Sequence, residues 1–165
     1  MHTSNYIAGP ALLLATLVSV GSEEKQSVSF PEGYRSWQHV KSILIGPEHP
    51  TFEKRGGLHH YYANDLALVG YQSGEFPDGS VIVDENLSTK DGEGLAKGIL
   101  LEGDRRMVEV MVKNHSRYKD TAGWGFERFE REDKTGALTG EQQAHCYQCH
   151  AMAQDHDHVF SKVRP

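Results

Sequence analysis

The sequence predicts an α+β fold, mainly antiparallel β-sheet with a few helices, one of them close to the C-terminus. Three observations predict it. Residues 107–112 alternate: Val108, Val110 and Val112 share one face of an extended chain, and Met107, Glu109 and Met111 share the other. Turns marked by Gly and Pro divide several such apolar runs. The late segment "GEQQAHCYQCHAMAQ" has neither Pro nor a β-branched residue and suits a helix. Several antiparallel strands with helices near each end of the series make the chain strand-dominated.

In chain order, "FPEGYRSW" is a Pro/Gly-marked entry into "QHVKSILI", which reads as strand or short helix. "GPEHPTFEKRGG" reads as loop by its Gly and Pro content, and "LHHYYA" (residues 58–63) is rich in strand formers. "NDLALVGYQSG" predicts a helix with Asn64 or Asp65 as N-cap and Gly74 just past its end. "FPDGSVIVDENL" turns on Pro77-Asp78-Gly79 into a strand. "GILLEGDRRMVEVMVKNH" predicts two strands joined through Gly103-Asp104. "TAGWGFERFERED" adds a strand with Trp124 and Phe126 on one side, and the C-terminal helix follows.

With 165 residues, 38% hydrophobic and 24% charged, the chain is most simply one domain with a sizeable core. A net charge of −6 argues against nucleic acid or an anionic membrane as partner, since both ask for a basic face. Residues 11–22, "ALLLATLVSVGS", are a short apolar run ending in small residues. The run is too short to span a membrane and fits the core of a secretory signal cleaved near Gly21 or Ser22. The start "MHTSNYIAGP" carries no Lys or Arg, so an ordinary buried N-terminal segment is the alternative. The expected organisation is a signal at residues 1–22 and one domain at 23–165.

The stretch "HCYQCHAMAQDHDH" holds both cysteines and four of the ten histidines. A disulfide across C-x-x-C closes a tiny loop and removes little unfolded-state entropy. A thioredoxin-type dithiol needs a βαβ unit, and none precedes the motif. Zinc could use Cys146, Cys149, His156 and His158, but the His-x-His spacing is shorter than finger histidines keep. The pattern C-x-x-C-H suits haem. Its two thiols add to the vinyl groups of the porphyrin, and the next residue offers neutral imidazole to the iron. Export agrees, because covalent haem attachment takes place beyond the cytoplasmic membrane. Cys146 and Cys149 are therefore the expected anchors of one haem c, His150 is its expected proximal ligand, and residues 23–165 are a haem domain.

Around this motif, "FPEGYRSWQHV", "GEFPDGSVIV", "VMVKNHSRYKDTAGWGFERFE" and "CYQCH … HVFS" occur in this order. Together, over residues 30–164, they resemble the cytochrome P-460 family, which includes the cytochromes c-prime-beta. The resemblance implies a periplasmic c-type monohaem protein, mainly antiparallel β, commonly a homodimer, with a redox partner protein possible. Two chemistries occur in that family. Its P-460 enzymes oxidise hydroxylamine with a haem that is also bonded to a lysine side chain. Its c-prime-beta proteins lack that bond and bind nitric oxide at a five-coordinate iron with a crowded apolar distal side. The lysine of the enzymes follows a strand resembling residues 79–83, where this chain has Asp84, then Glu85 and Asn86. Asp cannot make the amine linkage, and the next lysines are Lys90 and Lys97.

The distal side has several candidates. Glu109 is a proton acceptor if its face lines the haem; otherwise it is a solvated carboxylate paired with Arg105 or Lys113. Met107, Met111 or His59 as sixth iron ligand would make a six-coordinate electron carrier. His59 and His60 point to opposite faces of an extended segment, so at most one faces the haem. Phe76 is either an aromatic cap over the distal iron, by analogy with the c-prime-beta pockets, or a core aromatic beside the turn. Arg128 either orients a polar ligand or is a surface charge, and His156 and His158 are expected in solvent. The expectation is a distal site binding nitric oxide or a related small nitrogen compound. Hydroxylamine oxidation and electron transfer are the alternatives.

Overall fold

The computed structural model describes residues 27–163, so the expected signal at residues 1–22 lies outside the described residues. Five strands form one antiparallel sheet in the order of the chain: β1 (Gln38–Ile45), β2 (Gly57–Ala63), β3 (Val81–Asp91), β4 (Leu100–Lys113) and β5 (Trp124–Glu130). Helix α1 (Phe52–Arg55) joins β1 to β2, and α2 (Asp65–Ser73) joins β2 to β3. Helix α3 (Gly140–His150) follows the sheet and runs on into a 3-10 segment, Ala151–His156. Among the described residues no helix is long and apolar enough to cross a membrane.

The α+β expectation is met, with two local corrections. The segment read as loop before β2 contains the single-turn α1. The two strands expected on either side of Gly103-Asp104 are one 14-residue strand, β4, paired with β3 from Asp91↔Leu100 to Val81↔Val112. Gly103 is there for a close approach: a Cβ on it would collide with Ser88 of the neighbouring strand, beside a shift in the β3–β4 register. The turn lies at residues 92–99, closed by the Gly92 N–H on the Ile99 carbonyl at 2.8 Å.

The caps of α2 are where the sequence expects them. Asn64 Oδ1 accepts the Ala67 N–H at 2.9 Å and the Val81 N–H at 3.0 Å, so one side chain starts the helix and ties it to β3. Gly74 ends it at φ 88°, a left-handed conformation that glycine adopts without strain. A capping box of Thr139 and Gln142 opens α3.

Alternation along the strands gives the sheet two different faces. One packs Val83, Val108, Val110 and Phe129 with Val28, Tyr34 and Tyr118. The other packs Ile82, Met111, Trp124 and Phe126 with Ala67, Phe76, Leu138 and Val159, and α3 lies against it through Cys146 and Tyr147. That second face positions the site.

Candidate functional site

A cavity of about 1170 Å³ opens between this face and α3. It exceeds the ~300–1,000 Å³ of most small-molecule pockets. The helix wall carries Cys146, Cys149 and His150, and the sheet wall carries Tyr61, Ile82, Asp84, Glu109, Met111, Phe126 and Arg128. Arg55, from the end of α1, completes the polar part.

The two cysteines are free thiols, Cys146 half-buried and Cys149 exposed. Burial first, then the negative charge of Glu109, pushes the Cys146 thiol up and keeps it protonated. His150 is held by one hydrogen bond, its Nδ1–H donating to the His158 carbonyl at 2.8 Å. Its ring lies between Phe126 and Phe160, with centroids 5.1 and 5.0 Å away. Burial pushes its pKa down, so the ring is a neutral imidazole. With Nδ1 occupied, the lone pair sits on Nε2, which is the arrangement metal-ligating histidines adopt.

The sheet wall holds an ion-pair chain. Arg55 bridges two carboxylates, Asp84 at 2.8 Å and Glu109 at 2.6 Å, and Arg128 takes the other oxygen of Glu109 at 2.7 Å. Burial works against the charge of Arg55, but Glu109 and Asp84 outweigh it and raise its pKa. Burial and the charge of Asp84 keep the Tyr61 hydroxyl protonated well above the ordinary tyrosine range. Behind this wall His59, with no exposed surface, donates from Nδ1 to Asp84 at 2.8 Å while its Nε2 faces the Arg55 carbonyl at 2.7 Å. Burial opposes its charge, yet the bond to Asp84 raises its pKa.

The family model for Cytochrome P460 matches residues 31–161. The chain belongs to the cytochrome P460 family. No curated protein matches it. Cytochrome P460 proteins are haem-associated, and the residues of this cytochrome P460 chain fit a haem. Two thiols and a neutral imidazole with a directed lone pair share one helix beside a cavity of sufficient size. The zinc alternative is not assembled. Among the described residues no group of three or more His, Cys, Asp or Glu side chains is gathered to hold a metal ion.

The structure sorts the remaining sequence candidates. Glu109 faces the cavity, paired with Arg128 and Arg55 rather than with Arg105 or Lys113. Met111 lines the cavity, whereas Met107 is buried farther along β4 opposite Asn86. Both nitrogens of His59 are engaged, so His59 offers no lone pair to iron. His60 points to the opposite face, between Ser42 and Glu102. Phe76 does not line the cavity. It is 5% exposed and packs on Tyr71 and Trp124, and a Cβ on Gly70 would collide with its ring. That packing is the core aromatic of the sequence alternative, not a distal cap. His156 is exposed as expected, but His158 is half-buried, with its ring 5.3 Å from Tyr147.

Lys90 and Lys97 stand near the β3–β4 turn, away from the cavity, and the lysines that do line it are Lys41 and Lys54. Sequence reading missed Arg55. It lies in a segment that looks like loop, 29 residues from one partner and 54 from the other, and no local pattern announces such a contact.

Proposed function

We propose that this chain is an exported, periplasmic c-type haem protein that oxidises a small polar nitrogen compound of the hydroxylamine class. In this reading Cys146 and Cys149 bind the haem as thioethers and His150 is the proximal ligand. Bound haem supplies an iron that accepts electrons, which then leave to a redox partner protein. The chain's own residues bind, orient and handle protons. Arg55 and Arg128 fix the Glu109 carboxylate at the cavity wall, where its remaining lone pairs accept N–H or O–H groups of the substrate. Oxidation releases protons together with electrons, and Glu109 is the carboxylate positioned to take one. Tyr61 stays protonated and serves as a donor. The family likeness also supports a homodimer as the working form.

The observation that carries this reading is the Arg55–Glu109–Arg128 chain in the same cavity as Cys146 and His150. A crowded apolar distal side would not place two arginines and two carboxylates there. The test is hydroxylamine added to purified protein with a one-electron acceptor dye, the expected result being stoichiometric dye reduction that depends on hydroxylamine. Protein that binds nitric oxide but leaves the dye oxidised would overturn the proposal.

Nitric oxide binding is the second reading, favoured by Asp84 at the lysine position and by its engagement with Arg55 and His59. It expects an ordinary five-coordinate c-type spectrum in the reduced protein, with a Soret band that shifts on adding nitric oxide. A strongly red-shifted reduced Soret band would instead mean a further covalent bond to the haem.

A further inference from the structure

We propose that Asp157, held by Lys113, is a positioning residue that sets the orientation and basicity of the His150 imidazole. This rests on His150 being the iron's proximal ligand. The acceptor of the His150 Nδ1–H is the carbonyl of His158, and that carbonyl lies in an unusual turn. Asp157 and His158 both occupy the left-handed region, at φ 48° and 65°. Neither is glycine, so each placement brings the Cβ close to the following carbonyl oxygen and is strained. Consecutive strained residues persist only where their surroundings over-determine them, and strain of this kind concentrates at functional sites.

The surroundings converge on Asp157. Its Oδ1 accepts the Lys113 ammonium at 2.6 Å, and its Oδ2 accepts the Phe76 backbone N–H at 2.9 Å. Its carbonyl accepts the Trp124 indole N–H at 2.8 Å. The end of β4, the start of β5 and the turn before β3 thus all grip one residue. The Lys113 side chain is 2% exposed. Apart from Asp157 it meets the Ala122 carbonyl at 3.0 Å and the face of Trp124, 4.8 Å from the ring centroid. An ammonium this buried contributes little net stability, because its desolvation offsets its attraction to the carboxylate. What it does here is pin the Asp157 carboxylate, and through one peptide unit the His158 carbonyl. A hydrogen bond donated from Nδ1 raises the basicity of the ligating nitrogen and favours the oxidised iron. Freeing the turn lengthens that bond and favours the reduced iron.

The test uses the full-length haem protein as wild type, Asp157→Asn, Asp157→Gly and Lys113→Met. Asn tolerates positive φ and keeps an acceptor for Phe76 while dropping the charge; Gly removes the strain and every side-chain anchor. The readouts are the iron–histidine stretching band of the reduced protein and the reduced-to-oxidised ratio in a fixed redox buffer, with melting temperature alongside. The band is expected to fall in frequency and the ratio to rise by up to about tenfold, more in Asp157→Gly than in Asp157→Asn. Should Asp157→Gly fail to fold, Asp157→Asn and Lys113→Met carry the same test. Lower melting temperatures with band and ratio unchanged would overturn the positioning role alone. A wild type with no iron–histidine band would overturn the ligand reading, and this inference with it.

Discussion

Asp84 and Glu85 are neighbours on β3, both buried, and each anchors an arginine network, yet the two networks differ in what they face. Glu85 points away from the cavity, where it accepts the Tyr34 hydroxyl at 2.6 Å and an Arg35 nitrogen at 2.5 Å, with Arg105 at 3.8 Å. Asp84 points to the cavity and shares Arg55 with Glu109, which passes the chain of charge on to Arg128. The Glu85 network closes on itself among Tyr34, Tyr62 and the apolar cluster of Val83, Val108 and Phe129, and it fixes the segment before β1 against the sheet. The Asp84 network lines a space large enough for a prosthetic group. Identical side-chain chemistry is therefore structural on one face and available for binding on the other, because strand alternation separates adjacent residues.

Glu109 is where the two networks should differ most. Glu109→Gln keeps the shape and removes the charge. It is expected to slow hydroxylamine oxidation by about 100-fold, the low end for a lost acid–base group, while changing stability by under ~1 kcal/mol. An unchanged rate in the dye assay would return the cavity network to a purely structural role. Glu85→Ala should behave in the opposite sense. It strands the buried Tyr34 hydroxyl and frees Arg35, which is already 61% exposed, and is expected to cost about 2 kcal/mol in urea unfolding. The haem absorption spectrum and the oxidation rate should stay at wild-type values.

The Asp84 network also carries a modest dependence on pH through His59. His59 has a raised folded pKa because of Asp84, so its contribution to stability is present in full below its unfolded value of about 6.5 and is lost as pH rises through the higher folded value. Melting temperature should fall across that range in the wild type. His59→Gln should remove that part of the slope, whereas Glu85→Ala should leave it in place. A slope that survives in His59→Gln would assign it to another group.

Much of the fold was legible because its determinants are local. Asn64 and Gly74 bracket α2 by cap chemistry alone, and the alternation of residues 107–112 assigned the faces of β4 before any partner was known. Gly103 misled because a glycine that makes room for Ser88 looks the same, in one dimension, as a glycine that makes a turn. The site was half legible. A segment without Pro or β-branched residues keeps Cys146, Cys149 and His150 on one helix, but the choice between cap and core aromatic at Phe76 stayed open because its surroundings come from α2 and β5 rather than from its own segment.

Short-range features follow from the residue order alone: strand periods, helix caps, and two thiols and an imidazole within five consecutive residues. The folded chain alone brings Arg55 between Asp84 and Glu109, and sets the His158 carbonyl, in a turn gripped by Lys113, to accept the His150 Nδ1–H. Separation along the chain accounts for the difference. Periodicity and capping act within a few residues, whereas a buried charge finds its partner wherever folding brings one within reach, and no local pattern encodes that meeting.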